Sequence, residues 1–122
     1  MTRHELKTFI NETYGIIPDN PWLKSPSYEV FRHSGNKKWF AVIMDIPKSK
    51  LGINSDENIS VVNLKCDTIM IGNMLSEKGI YPAYHMNKSY WVTAALDGSA
   101  EDEMIKMLTR MSFKLTETKK NR

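Results

Sequence analysis

The chain has only one cysteine and no long hydrophobic run, and both scarcities restrict what it can be. A lone Cys66 cannot form a disulfide within the chain, and a free thiol survives best in a reducing compartment. No stretch approaches the roughly 18 apolar residues that a membrane-spanning helix requires, and no apolar signal region follows Met1. We therefore expect a cytoplasmic protein that makes no use of a membrane.

Recognisable catalytic and metal-binding motifs are also missing. The sequence has no Cys-x-x-Cys or His-x-x-x-His pair, which would supply closely spaced metal ligands. Cys66 alternates with Val62 and Leu64 on an apolar face, where a thiol stays protonated and unreactive; a cysteine nucleophile would need a base, and His85 is the candidate. We expect no enzyme activity, no catalytic residue, no metal, no cofactor and no small-molecule substrate.

The bulk composition is that of an ordinary folded domain. The chain has 122 residues, of which 41% are hydrophobic and 25% charged. We expect one domain over residues 1–115 and a polar, basic tail over 116–122. The net charge is only +3, but cations and carboxylates are partly segregated along the chain, which favours one basic face.

Hydrophobic periodicity and turn residues predict an α+β fold. Capping boxes are expected at Thr2 with Glu5 and at Ser99 with Asp102, and Asp67 is expected to cap the middle helix. Between Pro18 and Ser27 the chain turns, with Trp22 and Leu23 expected to pin it to the core. The predicted elements are helices over 3–14, from 67 to 79 and after 99, and strands over 28–33, 39–46, 59–66, 81–86 and 90–95. Their order, α-β-β-β-α-β-β-α, predicts a two-layer sandwich of an antiparallel sheet and helices.

Both predicted hairpins carry Asn and Lys in their turns, which would place a cation and an amide near phosphates or base edges. The same residue types are also ordinary in turns and at sheet edges. The imidazole of His85 can serve as a donor to nucleic acid, as a base or as a structural group. The candidate nucleic-acid-binding residues are Asn36, Lys37, Lys38, His85, Asn87 and Lys88, with Arg32 and Lys65 as second choices.

Aromatic residues beside these turns have two interpretations. Trp39, Tyr84, Tyr90 and Trp91 can stack on unpaired bases. They can equally be packed in the core or across neighbouring strands. The sequence leaves both interpretations open.

Several stretches resemble the MmcQ/YjbR family of small bacterial proteins, and the most specific is the run from Pro82 to Lys88 followed by Trp91-Val92-Thr93. The resemblance implies a fold like that of type III secretion chaperones and a double-wing mode of DNA contact. The chain departs from the family at Tyr90, where the family often has His, and at Phe113, where it often has Tyr. The other matching stretches are Val30-Phe31-Arg32-His33, Asn36-Lys37-Lys38-Trp39-Phe40-Ala41, Asn63-Leu64-Lys65-Cys66-Asp67 and Leu96-Asp97-Gly98.

We therefore expect a DNA-binding protein whose two basic hairpin tips contact nucleic acid. The alternative is a protein-interaction module that binds a peptide or forms a homodimer through a groove or a sheet edge. Flexible methionine side chains favour that alternative if they line a groove, although their helical spacing favours packing in the core. The methionines concerned are Met70, Met74, Met86, Met104, Met107 and Met111.

Overall fold

Segments with alternating apolar residues or with branched side chains form a sheet, and amphipathic helices lie on one of its faces. The structure is a computed structural model that describes residues 1–21 and 27–117. It confirms the predicted α+β class and the predicted order of elements. The helices are α1 (Arg3–Tyr14), α2 (Ile71–Leu75) and α3 (Asp102–Thr116); the strands are β1 (Glu29–Arg32), β2 (Trp39–Pro47), β3 (Asn58–Lys65), β4 (Ile80–Pro82) and β5 (Trp91–Ala95); a short 3-10 helix spans Lys48–Leu51.

Helix α1 begins and ends as its sequence predicts. The Thr2 hydroxyl accepts a hydrogen bond from the backbone of Glu5, and the Glu5 carboxylate accepts one from the backbone of Thr2. Gly15 ends the helix at φ 68°, a conformation that glycine adopts without steric cost. The predicted cap of α3 is wrong, because the Ser99 hydroxyl donates to Asp97 instead. The N-cap is Glu101, whose side chain makes no capping bond.

The middle of the chain differs most from the sequence prediction. Asp67 does not cap α2; its carboxylate accepts from the amide of Ile69 and forms a turn ahead of the helix. Helix α2 ends at Leu75, before the predicted stop at Gly79. Strand β4 ends at Pro82, which has no N–H to donate to a ladder, so residues 83–90 form a loop rather than a tight turn.

Two predictions fall wholly or partly outside the described residues. Trp22 and Leu23 lie in the segment 22–26, and most of the predicted tail lies in 118–122. Thr116, which was predicted to open the tail, is the last residue of α3 and is buried. In the described part of the chain, no helix is long and apolar enough to cross a lipid bilayer.

The five strands are all antiparallel to their neighbours, in the order β1-β2-β3-β5-β4. The C-terminal ends of β1, β3 and β4 therefore lie at the same end of the sheet as the N-terminal ends of β2 and β5. The β1–β2 turn (33–38) and the β4–β5 loop (83–90) both project from this end, which we call the tip end. The opposite end, where β2 leads into β3, we call the far end.

The two faces of the sheet are covered unequally. The larger apolar cluster contains residues of all three helices and fills the space between them and the sheet. The smaller cluster, on the other face, consists of buried strand residues with aromatic side chains and Leu51 of the 3-10 helix around them, and no α-helix of the described residues packs there. We call this second surface the helix-free face. Its buried residues are Val30, Val42, Met44, Ile46, Ile59, Val61 and Ala95.

A bulge in β2 controls the tip end of the sheet. Phe31 pairs with Ala41 and Arg32 pairs with Trp39, so Phe40 is an extra residue with no partner on β1. The Ser112 hydroxyl of α3 donates to the carbonyl of Phe40 at 2.5 Å and accepts from the amide of Lys65 at 2.8 Å. One buried hydroxyl thus bridges β2 and β3 where their own ladder stops.

Ser112→Ala removes this bridge and leaves a buried carbonyl and a part-buried amide without their partner. We expect the free energy of unfolding to fall by about 1–3 kcal/mol, the usual effect of an unsatisfied buried polar group. Urea denaturation measures the change, with Ser49→Ala, an exposed serine of the 3-10 helix, as the control. Equal stability of the two variants would contradict the assigned role of Ser112.

Candidate nucleic-acid interface

The β1–β2 turn presents two lysines to solvent at the tip end. Lys37 and Lys38 are both exposed, and Lys37 has a positive φ of 63°. Asn36 is tied into the fold instead, because its amide nitrogen donates to the carbonyl of Thr116 at 2.9 Å and its oxygen accepts from the amide of Lys38 at 2.8 Å. Asn36 therefore fixes the turn against the end of α3 and orients the two lysines.

The β4–β5 loop forms the second tip. The side-chain oxygen of Asn87 accepts from the amide of Ser89 at 2.8 Å, and its carbonyl accepts from the amide of Trp91 at 2.9 Å. This tight turn leaves Lys88 exposed at its apex. His85 is also exposed, has a φ of 58°, and lies with its ring 4.0 Å from that of Tyr84.

A buried polar network anchors this loop to the sheet. The Thr93 hydroxyl donates to the side-chain oxygen of Asn63 and accepts from the amide of Tyr84 at 3.0 Å. The amide nitrogen of Asn63 donates to the carbonyl of Tyr84 at 2.7 Å. Asn63 and Thr93 are fully buried, so the loop is held in one place by bonds that water does not replace.

Between the tips, four half-buried side chains follow one another across the helix-free face: Arg32 on β1, Trp39 on β2, Lys65 on β3 and Trp91 on β5. We call them the cation–aromatic row. Arg32 and Trp39 are paired across their strands, as are Lys65 and Trp91. The guanidinium of Arg32 lies 5.8 Å from the ring centre of Trp39 and its Nε lies 2.9 Å from a carboxylate oxygen of Asp19. Arg32 is thus already partnered, and Lys65 is the more available cation.

Acidic clusters lie away from the tips. Asp56 and Glu57 directly precede β3 at the far end, where Glu57 lies 3.7 Å from Lys48. The cluster at 101–103 opens α3 at the same end, because α3 follows β5 and runs back toward the tips. The tip end itself carries two carboxylates, Asp67 shortly after β3 and Glu117 at the end of α3.

His33 and Cys66 are structural residues. His33 is buried against the ring of Phe113, and its Nε2 lies 2.7 Å from the hydroxyl of Thr116. Burial lowers the pKa of His33, against an opposing effect of Glu117. Burial raises the pKa of the Cys66 thiol, which is sealed in the larger cluster. Among residues 1–21 and 27–117, no three potential metal ligands are grouped to hold an ion.

Comparison with known proteins identifies the family. The model of the YjbR family matches residues 11–115. A Bacillus subtilis protein, YyaQ, described as uncharacterized, is 36% identical over 116 residues, which are 95% of this chain and 98% of YyaQ. The chain belongs to the YjbR family.

Solved structures agree with this YjbR-family fold. A crystal structure of a Pseudomonas syringae protein has a TM-score of 0.93 and 44% identity, over 96% of this chain and all (100%) of that one. A solution structure from the same organism has a TM-score of 0.89 and 43% identity, over 100% of this chain and 98% of that one. A Deinococcus radiodurans protein, with 23% identity and a TM-score of 0.70 over 93% of this chain and 77% of its own, shares the fold.

Sequence reasoning named the members of the cation–aromatic row as candidate contacts, but it did not predict that they form one row, nor the structural role of Asn36 in this YjbR-family chain. The row exists because the bulge at Phe40 changes the alternation of β2 and turns Trp39 to the helix-free face. Nothing in the local sequence of the strand marks such a bulge. Asn36 bonds to α3, a contact across 80 positions of sequence that turn chemistry does not reveal.

Buried His33 predicts loss of stability in mild acid. Its folded-state pKa lies below that of an unfolded histidine, about 6.5, so the unfolded chain binds more protons as the pH falls through this range. The contribution of His33 to the free energy of unfolding should be fully present above about pH 7 and should decline toward about pH 5. In urea denaturation across this pH range, the free energy of unfolding of His33→Gln should depend less on pH than that of the wild type. His4→Gln, at an exposed position, should keep the wild-type slope; an unchanged slope in His33→Gln would refute the assignment.

Proposed function

We propose that this protein is a non-enzymatic DNA-binding protein that contacts nucleic acid through its two basic hairpin tips. The observation that carries the proposal is the direction of the strands, which brings both tips to one end of the sheet. The acidic clusters at 56–57 and 101–103 lie at the far end. A polyanion can therefore approach both tips without meeting those carboxylates.

The spacing of the tips suits a duplex. The β1–β2 turn and the β4–β5 loop are separated by three strand spacings, or roughly 14 Å. This separation is comparable with the roughly 12 Å width of the major groove of B-DNA. The two tips can thus reach the phosphates on both sides of one groove.

The exposed side chains divide into two roles. Lys37, Lys38 and Lys88 neutralise phosphates and release counterions. His85 and Asn87, exposed on the second tip, supply polar contacts to sugars, phosphates or base edges. Asn36 acts by positioning the first tip, and Lys65 continues the positive surface between the tips.

The alternative function, a module that binds a peptide or a second copy, has less support in the described residues. The outer edge of β1 is covered by Asp19, which exchanges two backbone hydrogen bonds with Val30. The other edge strand, β4, is three residues long and ends at proline. The methionines of α3 pack against the larger cluster rather than lining a groove, namely Met104, Met107 and Met111.

The lysine tips are tested by a Lys37→Ala/Lys38→Ala/Lys88→Ala variant. Binding of a labelled duplex should weaken, and the magnitude of the slope of log K against log salt should fall by about 2 to 3, since each phosphate contact contributes about 0.9. Fluorescence anisotropy at several salt concentrations measures both quantities.

A charge-matched control separates tip contacts from net charge. Lys48→Ala/Lys50→Ala/Lys78→Ala removes three positive charges from the opposite end of the molecule. It should reduce affinity much less than the tip variant. Equal losses in the two variants, or a wild-type affinity that does not depend on salt, would reject the proposal.

A further inference from the structure

We propose that the nucleic acid held by this protein is an unpaired strand, a base of which stacks on Trp91 of the cation–aromatic row. This inference rests on the proposed function, because the tips provide the surrounding positive charge. It adds the state of the ligand: a single strand, or a duplex opened at the site. The row lies directly between the tips, on the helix-free face of the sheet.

The row has the chemistry of a stacking platform. It alternates cation, ring, cation and ring across four neighbouring strands, and the four side chains are half-buried rather than sealed in the core. Lys65 is paired with Trp91 across neighbouring strands. A base on the Trp91 ring would therefore place its phosphate close to the lysine.

The exposed part of the Trp91 ring selects for an unpaired strand. A base in a duplex presents its edge to a groove, whereas its face is covered by the neighbouring pairs. A base becomes available for stacking on a side chain only once it leaves the duplex. The same surface carries the positive charge that a strand requires, because Lys37, Lys38 and Lys88 flank the row and Lys65 lies within it.

The platform is also rigid. Asn63 bonds to Thr93. Asn63 lies two residues before Lys65 on the same face of β3, and Thr93 lies two residues after Trp91 on β5. The backbone amide of Trp91 donates to the carbonyl of Asn87 in the second tip. On the other side, the bulge at Phe40 that positions Trp39 is held by Ser112. A Trp91 ring held in this way loses little conformational freedom when a base stacks on it.

The test compares three ligands of equal length, about 16 nucleotides: an oligothymidylate, the corresponding RNA strand and a DNA duplex. Binding is measured by anisotropy for the wild type, Trp91→Leu and Trp91→Phe. We expect the wild type to bind a single strand more tightly than the duplex. Trp91→Leu should weaken single-strand binding about tenfold more than duplex binding, and Trp91→Phe should restore most of the loss.

Phe9→Leu is the matched control, because Phe9 is a half-buried ring in the helix layer with Lys106 and Arg110 within 5.5 Å and 5.3 Å of its centre. It should bind all three ligands as the wild type does. Thermal unfolding establishes that each variant is folded. A fluorescent adenine analogue placed in the single strand reports stacking on the wild-type protein directly, so the inference stays testable if a variant fails to fold.

The outcomes distinguish the inference from the proposed function. Tighter binding of either single strand, with quenching of the base analogue, supports the inference and identifies the preferred sugar. Equal wild-type binding of single strand and duplex, or equal losses on both in Trp91→Leu, overturns it and leaves duplex binding by the tips intact. Failure of all three ligands to bind overturns both proposals.

Discussion

The hydroxyl of Ser112 is the contact on which the arrangement at the tip end depends. Without it, the extra residue at Phe40 would leave an unpaired carbonyl beside an unpaired amide of β3. Because the hydroxyl comes from α3, the helix is fixed to the sheet at the end where both hairpin tips emerge. The same bulge turns Trp39 onto the helix-free face beside Arg32, which the regular alternation of β1 places there. One turn further along α3, Thr116 bonds to Asn36 and His33. One buried serine thus connects core packing to the shape of the exposed surface.

Around this contact, the residues that hold the tips in place differ from the residues that carry their charge. Buried polar bonds fix both tips, through Asn36 and Thr116 on one side and through Asn63 and Thr93 on the other. The cations that these bonds position, Lys37, Lys38 and Lys88, stay exposed. A polyanion that contacts them meets groups whose backbone is already ordered, so little conformational entropy is lost on binding.

Local sequence patterns predicted an element well where only one signal, such as a cap or an alternation, determined it. The cap of α1, the start of β2 and the alternation in β3 follow from neighbouring residues, and the structure confirms them. Predictions failed where two signals competed: Asp97 engages Ser99 and removes it as a cap, and Pro82 ends β4 before the alternation does. The sequence named the residues of the cation–aromatic row but not their arrangement, because the row depends on a bulge whose bonds are completed 72 positions away.

The most direct test of the account is to follow the backbone amide signals of the protein by NMR while DNA is added. Binding between the tips predicts shifts in both the 33–38 turn and the 83–90 loop, together with Lys65 and Trp91 on the face between them. Shifts confined to a single tip, or centred on the acidic far end around residues 56–57, would contradict it.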